Sequence, residues 1–284
     1  MVRGRVAYLI KLYDKYLECL ARCVLKNLKA MDSEKSIEFD HVSFRLPDGR
    51  TLLSDLTLEV HRGETLVLLG RSGSGKTTTM KLINRLIDPT EGHVKVDGKP
   101  TLEWDPIQLR RRIGYVIQEV GLFPHLSVEE NIGVVPRLEG WDADRIQERA
   151  RALLTTVGLD PDHFAARFPA QLSGGQRQRV GVARALAADP PVILLDEPFG
   201  ALDPITRRDI QQEFRSLQER LQKTMVFVTH DVREALLLAH RIGLVKDGKM
   251  VLLGPPSDLL ESKHAEARAF AACISDEESS GSPV

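Results

Sequence analysis

Cysteine is almost missing from this 284-residue chain: Cys19, Cys23 and Cys273 lie near its ends, with none between them. That excludes a disulfide scaffold and a cysteine-based metal site for the body of the protein, and it fits a reducing cytoplasm. Long apolar runs are missing as well. Val192–Leu195 and Ala235–Ala239 are short against the ~18 residues that a membrane span needs, so the chain is expected not to cross a bilayer. Nor is there an excess of either charge. The 39 Lys and Arg stand against 40 Asp and Glu, a net charge of −1, which argues against a strongly basic nucleic-acid binder and leaves room only for a local patch. What is present is 42% apolar and 28% charged residues, the balance of an ordinary soluble globular protein. The length suits one or two domains with a sizeable core.

The charge is unevenly spread. Residues 1–30 hold seven Lys or Arg against Asp14 and Glu18, so they carry +5 and the remaining chain −6. Leu9, Leu12, Tyr13, Tyr16, Leu17, Leu20, Val24 and Leu28 recur at helical spacing, which predicts a basic amphipathic helix for an anionic membrane surface or a partner. Lys11, Asp14, Lys15 and Glu18 interrupt any apolar core of a signal peptide. The alternative is a start codon placed too early, with Met31 opening the natural N-terminus, MDSEKSIEFDHVSF. Residues 1–35 are therefore read as an N-terminal extension, 36–260 as the folded domain and 261–284 as a tail. The end of that tail, SDEESSGSPV from Ser275, is acidic and small and is expected to be disordered.

From Ile37 the pattern turns strand-like. Ile37, Phe39 and Val42 precede a turn at Leu46–Arg50, then Leu56–Val60 alternates. Thr65–Leu69, Val192–Leu195, Met225–Val228 and Ile242–Val245 are short apolar runs, as expected of strands covered on both faces. Helical patterns separate them at Ala143–Val157, Gly174–Ala188, Pro204–Gln222 and Val232–His240. The alternation predicts an α/β fold with a largely parallel sheet and an N-terminal antiparallel β part. A mostly helical stretch, about 119–190, is read as an inserted helical subdomain.

Gly70-Arg71-Ser72-Gly73-Ser74-Gly75-Lys76-Thr77 follows one of these strands and precedes a helical pattern, the context of a phosphate-binding loop and thus of a P-loop NTPase core. Glycines let successive backbone N–H groups turn toward an anion, and the helix adds its positive end. Lys76 is placed to reach the β- and γ-phosphates and Thr77 to ligate Mg²⁺, with Thr78 next in the loop. Val192–Leu195 then delivers Asp196 and Glu197 at a strand end, where ligands of open α/β sheets bind. Asp196 suits Mg²⁺ and Glu197 suits a general base for the attacking water.

Leu172-Ser173-Gly174-Gly175-Gln176 opens a helical stretch, with Ser173 suited to an N-cap and two glycines leaving N–H groups open. This pentapeptide resembles the signature of ATP-binding cassette ATPases. The resemblance covers about residues 37–260 and implies further roles. Gln118 matches the glutamine that touches Mg²⁺ and senses the transporter. Asp203, in Gly200–Asp203, matches the loop that crosses the dimer interface, and His230 matches the switch histidine at the γ-phosphate. It also implies a dimer in which Leu172–Gln176 of one subunit closes on the ATP of the other. One departure stands out: the usual adenine-stacking aromatic of the first hairpin is Leu46 here, with Phe44 two residues earlier as a substitute.

The runs Gly75–Pro89, Asp105–Arg112 and Ile113–Trp141 resemble the importer ATPases for glycine betaine, choline and carnitine. Leu122, Phe123 and Pro124 suit an apolar lip for a permease helix, or else fill the subdomain core. The resemblance implies a peripheral subunit on the inner face of the cell membrane. It binds integral permease subunits, is served indirectly by a substrate-binding protein, and binds no nucleic acid. The alternatives are an ATPase for another importer substrate, an exporter subunit, or a soluble cassette acting on ribosomes or DNA. Only 29 residues follow Pro255, too few for the regulatory domain that many relatives append, so osmotic sensing is expected to lie elsewhere or to be absent.

Overall fold

A computed structural model of the chain describes residues 34–118, 121–200 and 202–278, with side chains as far as residue 274. The amphipathic pattern of residues 1–30 and the last six residues lie outside the described residues.

Two sheets carry the architecture. The first is antiparallel, in the order β2 (Thr51–His61), β1 (Lys35–Arg45), β4 (Glu91–Val96), β5 (Lys99–Pro100). The second runs β10 (Lys249–Gly254), β9 (Arg241–Lys246), β3 (Thr65–Leu69), β8 (Thr224–Thr229), β7 (Val192–Asp196), β6 (Ile113–Val116). All its neighbours pair in parallel except the β9–β10 edge. β3, β7 and β8 are buried at every position, which is why they read as unbroken apolar runs rather than alternating ones.

Alternate residues of β3 enter different cores. Val67 and Leu69 join Phe199, Phe214 and Phe227 on one face, while Leu66 and Leu68 join Phe39, Met80 and Leu82 on the other. Each fully buried side chain of this size contributes about 1.5–3 kcal/mol. The second face is closed by the antiparallel sheet and by α1 (Lys76–Ile83). The three rings of Phe199, Phe214 and Phe227 lie 5.7–6.3 Å apart, centroid to centroid.

After β4, α2 (Pro106–Arg111) starts on an N-cap, Asp105, and leads into β6. Between β6 and β7 the chain forms α3 (Val128–Ile132), α4 (Val134–Leu138), α5 (Ala143–Thr156), α6 (Pro161–Phe164) and α7 (Gly174–Leu186), with no strand among the described residues. Beyond β7 come α8 (Pro204–Leu221), α9 (Val232–Leu238), α10 (Pro256–Glu261) and α11 (Ala265–Glu278). α11 was not anticipated. Its helical backbone runs on to Glu278, into the stretch from Ser275 that was expected to be disordered. The helix is seated by Ala267, which is fully buried, and by Phe270 and Ile274, which pack on the core.

Candidate active site

The functional side chains leave the C-terminal ends of four adjacent or near-adjacent parallel strands, β6, β7, β8 and β3. β3 ends at Leu69 and turns through Gly70–Gly75 into α1. Gly75 has φ +108°, and a Cβ there would lie 2.6 Å from Leu53 Cδ2, so only glycine fits. Lys76 is 4% exposed, and its ammonium donates to the Gly70 carbonyl at 2.7 Å and the Arg71 carbonyl at 2.9 Å. Burial depresses its pKa, opposed by the Glu197 and Asp196 carboxylates.

Across from the loop, the Thr77 hydroxyl donates to Asp196 Oδ1 at 3.1 Å and the Tyr115 hydroxyl to Oδ2 at 3.4 Å. Asp196 is buried, and desolvation raises its pKa above the usual carboxylate range, with the Thr77 bond acting against it. Tyr115 is pushed upward by burial and by that same carboxylate. It is a member of the site that the sequence reading missed: its position in β6, between apolar residues, gives no sign of the partner it meets on β7.

Glu197 follows with φ +44°, a left-handed conformation rare for a non-glycine residue. Strain of this kind costs about 1–3 kcal/mol, and the Glu197 N–H is anchored on the Val228 carbonyl at 3.0 Å. The two consecutive acids thereby part company. Asp196 serves Thr77, while Glu197 Oε2 lies 3.3 Å from Gln118 Nε2 and 3.2 Å from His230 Nδ1. Gln118, expected beside Asp196 and Thr77 as a metal ligand, here donates to Glu197.

His230 rides on a turn fixed from below. The Thr229 hydroxyl donates to Glu234 Oε2 at 2.5 Å and accepts from the Asp231 N–H at 2.9 Å, and Gln211 donates to Glu234 Oε1. Glu234 is 4% exposed, and burial raises its pKa. Nothing in the sequence marks this acid as buried.

Arg71, Ser72, Gly73, Gly75, Lys76, Thr77, Thr78, Gln118, Glu197 and His230 line one cavity of about 630 Å³, together with Leu52 and Phe270. Ser74, Gly70 and Asp196 are buried behind that wall. The proposed substitute Phe44 is not in it: the ring packs against the core between the sheets, and Leu46 opens the hairpin turn outside the cavity.

The pentapeptide lies elsewhere. Ser173 and Gln176 form a reciprocal cap on α7, with Gln176 N–H donating to Ser173 Oγ at 3.2 Å and Ser173 N–H to Gln176 Oε1 at 2.9 Å. Ser173, Gly175 and Gln176 border a second cavity of about 370 Å³ with Thr206 and Asp209, while Leu172 is buried in the core. Asp203 caps α8 by accepting from the Thr206 N–H at 3.0 Å, which holds its carboxyl below the usual range. Within one chain, therefore, the pentapeptide and the phosphate loop line different cavities.

Leu122 packs against the core, whereas Phe123 is 43% exposed. The loop is held by Asn131, fully buried, whose side chain accepts from the Phe123 N–H and donates to the Phe123, Leu126 and Ser127 carbonyls.

The comparisons fit this geometry. A family profile described as ABC transporter matches residues 53–200. The chain is 50% identical over 226 residues to the glycine betaine/carnitine/choline transport ATP-binding protein OpuCA of Bacillus subtilis (strain 168), covering 80% of this chain and 59% of that protein. It is 49% identical over 224 residues to the glycine betaine uptake system ATP-binding protein YehX of Escherichia coli (strain K12), covering 79% and 72%. The chain thus spans less than two thirds of the length of OpuCA and similar relatives. A dimeric, post-hydrolysis structure of the ATP-binding cassette MJ0796 bound to ADP and Pi superposes with a TM-score of 0.69 at 36% identity, covering 78% of this chain and 98% of that one.

Proposed function

Because this chain belongs to the ABC transporter family, we propose that it is the ATP-hydrolysing subunit of an importer for a quaternary amine such as glycine betaine. The observation that carries the chemistry is Glu197, held by Gln118 and His230 in the same cavity as Lys76 and Thr77. The substrate class is supported by relatives named for glycine betaine, choline and carnitine transport.

The phosphate loop binds the triphosphate of ATP through its backbone N–H groups and Lys76. Thr77 and Asp196 are the residues that would hold Mg²⁺. A hydroxyl and a buried carboxylate oxygen 3.1 Å apart fit a cation that draws its other ligands from phosphate and water, and a cation offsets the burial that raises Asp196. Mg²⁺ supplies neutralisation of the phosphate charge. Glu197 takes the proton of the attacking water, and the water's oxygen bonds to the γ-phosphorus as the bridging bond to ADP breaks. Gln118 and His230 orient that carboxylate.

The second half of the site comes from a second copy. Among the described residues, a Cβ on Gly174 would meet only Leu202 Cδ2, at 3.5 Å, so none of them demands glycine there. A close approach by the partner's ATP does. The interface is then self-complementary, with two composite sites closed by Ser173–Gln176 in trans and Asp203 near the two-fold axis. ATP joins the copies and hydrolysis releases them, a two-state switch. Permease subunits dock at the lip formed by Phe123 and Pro124, which places the assembly on the inner face of the membrane, and a binding protein acts through the permease.

Uptake of labelled glycine betaine and choline, measured with and without this gene at low and high osmolarity, tests the reading. Gene-dependent uptake is expected, and equal uptake in both strains overturns the substrate class.

A further inference from the structure

Two carbon-faced side chains line the phosphate-loop cavity, and neither belongs to a motif: Leu52 on β2 and Phe270 on α11. The other described residues along its wall are glycine, polar or charged, suited to phosphates and a cation. A nucleotide also brings a base, whose flat faces are best held by a ring or an apolar surface. The first hairpin offers none here, since Leu46 occupies its turn and Phe44, half-buried against the other core, is not among the residues lining the cavity. Phe270 is the one phenyl, phenol or indole ring among the described residues lining the cavity.

α11 is built to hold that ring in place. Glu266 and Phe270 are four residues apart, one turn of the same helix face. Glu266 Oε1 accepts from Arg71 Nε at 2.5 Å, and Lys246 Nζ lies 3.4 Å from Oε2. The Glu266 side chain is only 8% exposed between these two bases, and Arg71 above all holds its carboxyl below the ordinary range. The ion pair ties the first turn of α11 to the phosphate loop itself. Ala267, fully buried, seats the helix on the core, and Phe270 packs partly against it. The helix that carries the ring is therefore docked before any ligand arrives, which lowers the entropic cost of binding.

We propose that Phe270 packs against the base of the bound nucleotide, so that the C-terminal helix supplies the aromatic contact which the first hairpin lacks. This rests on the reading of the cavity as an ATP site. Calorimetric titration of the full chain with Mg²⁺ and two probes, ATP and inorganic triphosphate, separates the two claims, because triphosphate has the phosphates without the base. Phe270→Leu, which keeps apolar volume and loses the ring, is expected to weaken ATP binding about tenfold and to leave triphosphate binding unchanged. Phe270→Tyr is expected to restore ATP affinity. Lys76→Ala is expected to lose both ligands. Wild-type ATP affinity in Phe270→Leu, or an equal loss for ATP and triphosphate, overturns the base contact while the ATP site stands. A wild-type chain that binds neither probe overturns the ATP site and the base contact with it.

Discussion

At the scale of single residues, the site works by giving neighbouring side chains different surroundings. Asp196 and Glu197 are adjacent in sequence, yet one is buried on Thr77 and Tyr115 and the other, twisted to φ +44°, meets Gln118 and His230. Replacing Glu197 by Gln preserves size and polarity but removes the base. Glu197→Gln is expected to bind ATP and to cut turnover by at least 10²-fold, the lower end of what general-base catalysis contributes; hydrolysis at the wild-type rate would remove Glu197 from that role. Glu234 offers a test of stability rather than turnover. Its folded carboxyl is raised by burial, so the folded state holds the proton more tightly than the unfolded chain does. Its contribution to stability is present at low pH and is lost as pH rises from about 4.3, the unfolded value, through the raised folded one. Glu234→Gln removes the charge and keeps a group that can bond Thr229 and Gln211. Thermal unfolding is expected to show little difference from wild type near pH 4 and a higher Tm for the variant at pH 8. Equal shifts at both pH values would rule out the buried charge as the cause.

At the scale of elements, helix starts carry much of the design. Ser127 and Ser173 form reciprocal caps with Glu130 and Gln176, and Asp105, Asp142 and Asp203 cap the helices that follow them. Asp203→Ala is expected to lower the midpoint of denaturant unfolding through loss of the cap, whereas Asp203→Asn, which keeps the cap, is expected to unfold like wild type. A loss of ATPase activity in Asp203→Asn with unchanged stability would assign Asp203 a role at the dimer interface apart from capping. α7 separates two glycines in the same way. A Cβ on Gly175 would come within 2.8 Å of Ile210 Cδ1, but one on Gly174 has room. Gly175→Ala therefore requires the Ile210 and Thr206 side chains to shift, and Gly174→Ala requires no such shift.

At the scale of the whole molecule, that difference becomes a prediction about assembly. In the background of Glu197→Gln, ATP is expected to drive a dimer visible by light scattering. Adding Gly174→Ala is expected to abolish that dimer while leaving the Tm of the monomer unchanged. A dimer that persists would mean that α7 does not face the partner's nucleotide. The dimeric cassette of similar fold bound to ADP and Pi makes the experiment a fair one.

Much of this protein is determined locally and was legible along the chain. The phosphate loop, the acids after Val192–Leu195, the cap of α7, and the buried strands β3, β7, β8 and β9 each depend on residues within a few positions of one another. Backbone conformation, capping and two-sided burial leave their mark at short range. Other features depend on contacts between distant parts of the chain and left no such mark. Tyr115 meets Asp196, Glu234 is buried beneath His230, Asn131 holds the loop at Phe123, and Glu266 and Phe270 bring α11 to the phosphate loop. The same physics removed Phe44 from the site: β1 pairs with β2 and β4, and the ring that spacing offered to the nucleotide packs partly against the core, away from the cavity wall. Which chemistry the chain carries is written in short motifs, because a phosphate cradle is made of consecutive backbone groups. Which side chains orient that chemistry was decided only when the parallel sheet placed its strand ends side by side.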